Sequence, residues 1–217
     1  TSYEGLDKEL IREVDMFYAD NPEEPLKEIS SNPNKPRAPN AGQNQQYTIA
    51  CEMHFSGIGF HTGKTIKVIL KPASAGTGIV FIRRDLEGSP HIKANIENVK
   101  NTYRTIVLRN KHAEVMTQEH LLSALGSLGI DNLFIELDGP EVPIFYGNSI
   151  KYEVLNKPNI LRKLDRPKKI FTINQPIMFL REQEGVKLIV LPSDKDELRI
   201  SYFIEFENPG VGSQFTS

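Results

Sequence analysis

An adjacent glutamate and histidine, Glu119 and His120, occur in the stretch MTQEHLLSAL at residues 116–125. Thr117 is a suitable N-cap residue, which predicts that Glu119 and His120 are the second and third residues of a helix. Side chains in a first helical turn can reach past the end of the helix. A carboxylate there can act as the general base on a water molecule, and the adjacent imidazole can bind a metal ion that holds this water. The alternative is structural, because the helix macrodipole alone favours glutamate in a first turn.

No metal-binding spacing accompanies His120. A catalytic zinc takes three protein ligands and keeps one open position. The single cysteine excludes an intramolecular disulfide and a cysteine-rich zinc module. The side chains that could ligate by nitrogen or sulfur are scattered along the chain: His54, His61, His91, His112 and Cys51. Spacing alone therefore completes no metal site at His120.

A glycine-rich stretch, SGIGFHTGK at residues 56–64, resembles a phosphate-binding loop only superficially. It lacks the spacing G-x-x-x-x-G-K-[ST] and the passage from strand to helix that such a loop needs. Glycine clusters more often mark turns. We therefore predict a tight turn between two strands.

Short β-type runs alternate with turn residues between residues 47 and 139. In the run TIKVIL, Ile66, Val68 and Leu70 fall on one face of a strand. One helix interrupts these runs, with Gly129 as its predicted end and an apolar stripe of Leu121, Leu122, Leu125 and Leu128. The predicted strands are YTIACEMHF, TIKVILKPA, GIVFIRRD, RTIVLRN and NLFIELDG. Strands with an inserted helix predict an α+β lobe in which helices pack on a sheet.

The two ends of the chain differ from this central part. Residues 5–18 have the apolar spacing of an amphipathic helix, and residues 21–46 are rich in proline, asparagine and glutamine, which predicts an extended arm. After a basic linker at residues 157–169, the runs IFTINQPIMFL, GVKLIVLP and LRISYFIEF predict a second, incomplete β lobe. We divide the chain into an N-terminal helix and arm (1–46), a first lobe (47–164) and a partial second lobe (165–217).

The net charge of −2 gives no basic field, so no nucleic-acid partner is expected. The sequence has no apolar run of about 18 residues, so no transmembrane segment is expected. The N-terminus also lacks the pattern of a signal peptide.

Three segments together resemble the UDP-3-O-acyl-N-acetylglucosamine deacetylase family, the zinc-dependent enzymes of the committed step of lipid A biosynthesis. They are GIGFHTGK (57–64), TQEHLLSALGSLGIDN (117–132) and GPEVPIFYGNS (139–149), and the resemblance extends from about Tyr47 to Ser217. It implies two similar α+β lobes facing each other across a cleft for zinc and the acylated sugar nucleotide. It also implies that Glu119 is the general base, that His120 is a zinc ligand, and that His61 and Lys169 bind substrate.

Some positions depart from the family pattern. The family's other two zinc ligands, a histidine and an aspartate, and a later catalytic histidine belong to segments beyond Ser217. Phe203 aligns with a threonine that stabilises the oxyanion, and loss of one such donor costs about 3 to 4 kcal/mol. Tyr146 replaces the family's usual aspartate in GPEVPIFYGNS.

From these departures we expect a truncated, catalytically silent homologue that serves as a structural or accessory subunit and holds no zinc of its own. Its protein partners would bind residues 1–46 and the partial second lobe. The alternative is part of an active zinc-dependent deacetylase that removes the N-acetyl group of the UDP-sugar lipid substrate. The N-terminal extension suggests a eukaryotic organelle, a mitochondrion or plastid, and the alternative is the bacterial cytoplasm.

Overall fold

The structure is a computed structural model that describes residues 44–144, 159–193, 198–206, 208, 210 and 212–216. The predicted N-terminal helix and nearly all of the predicted arm lie outside these residues. The described residues belong to two compact units, which meet in sequence between Ile170 and Phe171. Their secondary structure is mostly strand with one α-helix. This confirms the α+β class with a partial second lobe.

The first unit contains ten of the described strands and the helix. The strands are β1 (Gln45–Ile49), β2 (Met53–Ile58), β3 (Thr65–Pro72), β4 (Ile79–Arg83), β5 (His91–Lys93), β6 (Val99–Asn101), β7 (Val107–Arg109), β8 (Glu114–Met116), β9 (Leu133–Leu137) and β10 (Leu161–Pro167), and the helix is α1 (Glu119–Ser127). A short 3₁₀ helix, Ile96–Asn98, precedes β6. The predicted single strand YTIACEMHF is wrong, because a bend at residues 50–52 separates β1 from β2.

The first unit contains a five-stranded sheet with the strand order β2-β3-β9-β4-β5. All neighbours pair antiparallel except β4 and β9, which pair parallel. One row across the sheet is buried from edge to edge, with exposures of 0–3%: Met53, Leu70, Ile135, Phe81 and Ile92. Ile66 and Val68 are buried on the same face of β3 as Leu70, which confirms the alternation predicted from TIKVIL.

The helix and the three-stranded sheet β6-β7-β8 contribute to the same core as the five-stranded sheet. Leu121 and Leu125 of α1 are fully buried, and Leu122 and Leu128 pack against the core with partial exposure, as the predicted stripe requires. Gly129, just after the C-cap residue Leu128, stops the helix as predicted. Its φ is +73°, the Gly129 amide donates to Gly126 O at 3.0 Å, and the Ile130 amide donates to Leu125 O at 3.0 Å, which is the Schellman pattern.

Strands β1 and β10 form a separate antiparallel pair. The prediction of a linker at residues 157–169 is therefore wrong, because residues 161–167 are hydrogen-bonded as a strand. Gln46 Nε2 adds a bond of 2.9 Å to Pro167 O, and the Lys168 amide donates to Asn44 O at 2.7 Å.

The described part of the second unit consists of two antiparallel hairpins. They pair β11 (Ile177–Arg181) with β12 (Val186–Val190), and β13 (Tyr202–Glu205) with β14 (Ser213–Thr216), with a 3₁₀ turn at Glu182–Glu184. No residue of this unit whose side chain is described is buried, and Phe179, Leu188 and Phe203 are about half exposed or more. Among all the described residues, no helix is long and apolar enough to cross a membrane.

Candidate active site

The predicted base, the predicted metal ligand and the glycine-rich turn meet at one cavity of the first unit. The cavity has a volume of about 440 Å³. Glu119, His120 and His61 all line it, although His61 is distant from the other two in sequence. The remaining lining residues are Phe60, Arg104, Thr117 and Ile144. The fold therefore brings together residues of the glycine-rich turn, the start of α1 and the segment after β9.

The start of α1 differs from the prediction. Thr117 is not the N-cap, because α1 begins at Glu119 and Gln118 is the capping residue, without a side-chain hydrogen bond to the helix. Thr117 has φ +61°, in the left-handed region that favours glycine. Glu119 and His120 are thus the first and second helical residues. The Thr117 hydroxyl is used elsewhere, on the carboxylate described next.

A buried carboxylate, Glu141, joins the three segments that surround the cavity. Its residue exposure is 0%. Its Oε1 accepts from the His61 amide at 2.9 Å and from Thr117 Oγ1 at 3.1 Å. Its Oε2 accepts from the Thr62 amide at 2.9 Å and from Thr62 Oγ1 at 2.8 Å. Four donors from the glycine-rich turn and the start of the helix therefore converge on one side chain.

The pKa of Glu141 lies below its ordinary value of 4.5. Burial raises this pKa, but the amides of His61 and Thr62 and the hydroxyls of Thr62 and Thr117 bind the ionised form and outweigh the effect of burial. Glu141 is therefore an anion when the protein is folded at neutral pH. Its charge is compensated by hydrogen-bond donors of the turn and of Thr117.

This lowered pKa predicts a pH-dependent contribution to stability. A carboxyl whose folded-state pKa is depressed stabilises the fold above its unfolded pKa, and this contribution is lost as the pH falls through the folded-state pKa. At pH 7 the wild type should exceed Glu141→Gln by about 1–3 kcal/mol in free energy of unfolding, because the amide leaves a buried donor unpaired. The difference should shrink below pH 4.5, as measured by urea denaturation.

A substitution that removes no ionisable group provides the control for this experiment. Ile135→Val should lower the free energy of unfolding by a similar amount at pH 7 and in acid. If the difference in free energy of unfolding between the wild type and Glu141→Gln also stays the same from pH 7 to acid, Glu141 is not ionised in the folded protein.

Glycine is required at position 59 because the Glu141 side chain approaches its backbone closely. A Cβ at this buried position would collide with Glu141 Oε2 and Thr62 Oγ1. Its backbone has no positive φ, so the close approach and not the conformation demands glycine here. The turn itself is closed by two bonds of 2.8 Å, from the Gly59 amide to Lys64 O and from the Gly63 amide to Gly59 O. The prediction of a turn between two strands is confirmed.

Glu119 and His120 are both partly exposed at the start of α1. Glu119 is the only acidic residue of the first turn, where the free amides and the macrodipole favour an anion. Its Oε2 is buried and accepts no hydrogen bond. A carboxylate with an unused acceptor oxygen beside an imidazole is suited to taking a proton from a water molecule.

Gln118 has two buried polar atoms without hydrogen-bond partners. It is completely buried, and neither its Oε1 nor its Nε2 forms a hydrogen bond. A buried unpaired amide is destabilising, so Gln118→Met should raise the free energy of unfolding by about 1 kcal/mol or more. Urea denaturation of the two proteins measures this difference.

Gln46 provides the matched control for Gln118→Met. Gln46 is also buried, but its Nε2 bonds Pro167 O and its Oε1 accepts from the Gly76 amide at 2.8 Å and from Asn132 Nδ2 at 3.0 Å. Gln46→Met should therefore destabilise the protein by about 1–3 kcal/mol. A loss of stability in both variants would show that the Gln118 amide is satisfied.

The sequence also matches a known family of proteins. Residues 46–217 match the family model described as UDP-3-O-acyl N-acetylglycosamine deacetylase. The chain belongs to this family. The match confirms the resemblance inferred from the three sequence segments, and each segment contributes at least one described residue to the lining of one cavity.

Several bacterial members of the deacetylase family are close in sequence. Each is named UDP-3-O-acyl-N-acetylglucosamine deacetylase. The protein of Geobacter sp. (strain M21) is 38% identical over 172 residues, covering 79% of this chain and 55% of the relative. The Campylobacter jejuni (strain RM1221) protein is 40% identical over 170 residues (78% and 56%), and the Bdellovibrio bacteriovorus protein 42% over 171 residues (78% and 55%). The chain spans about half the length of the relatives it matches.

The described side chains can be compared with the ligands that the zinc ion of the deacetylase family needs. Among them, no group of three or more histidine, cysteine, aspartate or glutamate side chains could hold a metal ion. His120 supplies one imidazole, whereas a catalytic zinc takes three protein ligands. The described residues alone therefore do not fit a complete zinc site, and its other ligands would have to come from outside them.

The remaining predicted site residues are Lys169, Phe203 and Tyr146. Lys169 is exposed and is absent from the lining of the cavity in the described part of the first unit. Its neighbour Lys168 instead pairs with Asp131 at 3.1 Å and donates to Gly129 O at 3.3 Å. Phe203 lies in β13 of the second unit and is 63% exposed. Tyr146 lies outside the described residues.

Sequence reasoning missed Arg104, which lines the cavity, and Glu141, which bonds two of the segments around it. Arg104 has φ +59°, and its guanidinium carbon lies 5.2 Å from the centroid of the Tyr103 ring. No local pattern marks Arg104. Glu141 belongs to GPEVPIFYGNS, one of the three segments that carry the family resemblance, and this is the one sequence signal that marks it. Its residue type predicts exposure, so its burial could not be inferred.

Proposed function

We propose that this chain contributes the first-lobe half of the active site of a deacetylase that hydrolyses the N-acetyl group of UDP-3-O-acyl-N-acetylglucosamine. In this proposal Glu119 is the general base and His120 is one ligand of the metal. The observation that carries it is the joint placement of Glu119, His120 and His61 at one cavity, in a chain that belongs to the deacetylase family.

The proposed reaction is hydrolysis of an amide. Glu119 accepts a proton from a water molecule as the water oxygen bonds to the acetamide carbonyl carbon. The C–N bond then breaks as the amine nitrogen takes up the proton that Glu119 accepted, and acetic acid leaves and ionises to acetate in water. In this proposal the attacking water lies next to Glu119, at the lining of the cavity and at the start of α1.

Substrate contacts in this proposal come from the other lining residues. His61 is exposed on its turn, with its ring 5.1 Å from the ring of Phe60 in an edge-to-face arrangement. Arg104 adds a guanidinium, which suits the anionic phosphate groups of a nucleotide sugar. We assign chemistry only to these side chains, since the described residues do not complete a zinc site.

The relatives named as deacetylases support this function better than a silent accessory subunit. Nothing in the described part of the chain demonstrates catalytic silence or a protein partner, so both remain predictions. Phe203, aligned with the family's threonine, is the feature that favours silence. The division at residues 46 and 164 also remains a proposal.

The relatives reported above are bacterial proteins, which favours the bacterial cytoplasm over an organelle as the setting. Detection of the protein in the mitochondrial or plastid fraction of a eukaryotic cell would contradict this.

The test is an assay of acetate release from UDP-3-O-acyl-N-acetylglucosamine by the full-length protein that contains this sequence, purified with zinc. We expect acetate and the deacetylated sugar nucleotide in equal amounts. The Campylobacter jejuni relative, assayed in parallel, shows that the substrate and the conditions are adequate. Turnover by the relative and none by this protein would establish the silent alternative.

A further inference from the structure

The base and the imidazole of the proposed site lie near two segments whose conformation needs support from outside them. The glycine-rich turn is mostly exposed, and its Phe60 is 75% exposed. Thr117, which precedes the helix, holds a left-handed conformation that is unfavourable for a β-branched residue. A tie between these segments and the core is therefore needed to fix the cavity.

Glu141 provides this tie through both its backbone and its side chain. Around Glu141, the Met116 amide donates to Pro140 O at 2.9 Å, and the Val142 amide donates to Met116 O at 3.0 Å. These bonds join the segment to the end of β8, next to Thr117. The side chain then reaches the glycine-rich turn, where it accepts from the amides of His61 and Thr62.

Each carboxylate oxygen accepts one backbone amide and one hydroxyl. A glutamine in the same place has a single acceptor oxygen. A hydroxyl can rotate to accept from the new NH₂ group, but a backbone amide cannot. Either orientation of the glutamine therefore leaves the amide of His61 or Thr62 facing another donor. The four-donor arrangement selects a carboxylate at this position.

We propose that Glu141 is a positioning residue of the deacetylase site. Its side chain bonds the glycine-rich turn to Thr117, which precedes α1. This connection sets the placement of His61, Glu119 and His120 around the cavity. Glu141 does not line the cavity and takes no part in the proton transfer. This inference rests on the proposed function for its effect on turnover, but its effect on geometry is independent of that function.

The first test compares the wild-type full-length protein with Glu141→Gln in the deacetylation assay. We expect kcat to fall about 10- to 100-fold, since small misplacements of reacting groups have effects of this size. We expect KM to rise as well, because His61, a proposed substrate contact, is displaced together with its turn. A kcat for Glu141→Gln within twofold of the wild type would overturn the inference.

Two control variants separate positioning from loss of charge and loss of stability. Glu136→Gln removes a carboxylate of β9 that pairs with Lys71 at 2.9 Å and does not line the cavity, so its kcat should equal that of the wild type. Phe81→Leu weakens the core without touching the cavity. If Phe81→Leu lowers kcat as much as Glu141→Gln at a temperature where both are folded, the role of Glu141 is only structural.

A second readout does not need activity. In NMR spectra, Glu141→Gln should shift the imidazole signals of His61 and His120 and speed hydrogen exchange of the amides of His61 and Thr62, whereas Glu136→Gln should do neither. Gly59→Ala keeps every ionisable group but displaces the carboxylate, and it should reproduce these changes. If the wild type is inactive but the variants show these spectral changes, only the proposed function is contradicted. Unchanged signals in both variants would overturn the positioning role.

Discussion

Glu119→Gln is expected to lower the kcat of the full-length protein by about 10²- to 10⁴-fold. Glutamine has the size of glutamate but cannot accept a proton from the attacking water. The variant should keep its fold, because Glu119 is partly exposed and its Oε2 forms no hydrogen bond that glutamine would lose. Since substrate contacts remain, KM should change little. Acetate release at saturating substrate measures the effect.

His120→Ala is the companion variant for Glu119→Gln. If His120 ligates the metal, its loss should lower the zinc content of the purified protein as well as kcat, whereas Glu119→Gln should keep its zinc. Glu136→Gln serves as the charge control. A Glu119→Gln protein that retains more than about a tenth of the wild-type kcat would assign the general base to another residue.

Phe81→Ala should lower the free energy of unfolding by about 3–5 kcal/mol. Phe81 is 0% exposed and lies in the row that crosses the five-stranded sheet, between Ile135 of β9 and Ile92 of β5. Removal of the ring leaves a cavity in a densely packed layer that the sheet cannot close. Urea denaturation followed by circular dichroism measures the loss.

Phe60→Ala is the matched control for Phe81→Ala. Phe60 is 75% exposed on the glycine-rich turn and contacts the ring of His61. Its removal should change the free energy of unfolding by less than about 0.5 kcal/mol, as is usual for surface positions. Equal losses in the two variants would mean that Phe81 is not at the centre of the core.

The elements that the sequence predicts well are those set by local patterns. The alternation of Ile66, Val68 and Leu70 has the period of a strand, and the apolar stripe of α1 has the period of a helix. Gly129 ends the helix because its left-handed conformation is accessible to glycine. Such features depend on neighbouring residues, so short windows of sequence are sufficient.

Features that depend on residues far apart in the chain cannot be predicted from short windows of sequence. Residues 161–167 form a strand only because β1, more than a hundred residues earlier, offers its backbone. Thr117 is a good N-cap by residue type, but Glu141 and Thr105 compete for its hydroxyl, and it adopts a left-handed conformation instead. The burial of Glu141 depends on donors about 80 residues away. The candidate base and imidazole were accessible from residue type, whereas the side chain that holds their surroundings was not.

The pairing of β1 with β10 also affects how the chain enters and leaves the first unit. The Lys168 amide bonds Asn44 O, so the two ends of the unit lie side by side. Topologically the unit is nearly a ring. A circular permutant could therefore be made by joining these ends with a short peptide and opening the chain in the exposed turn at residues 87–88. The entropic cost of closing the new loop would be small. Every strand pair of the five-stranded sheet would be kept.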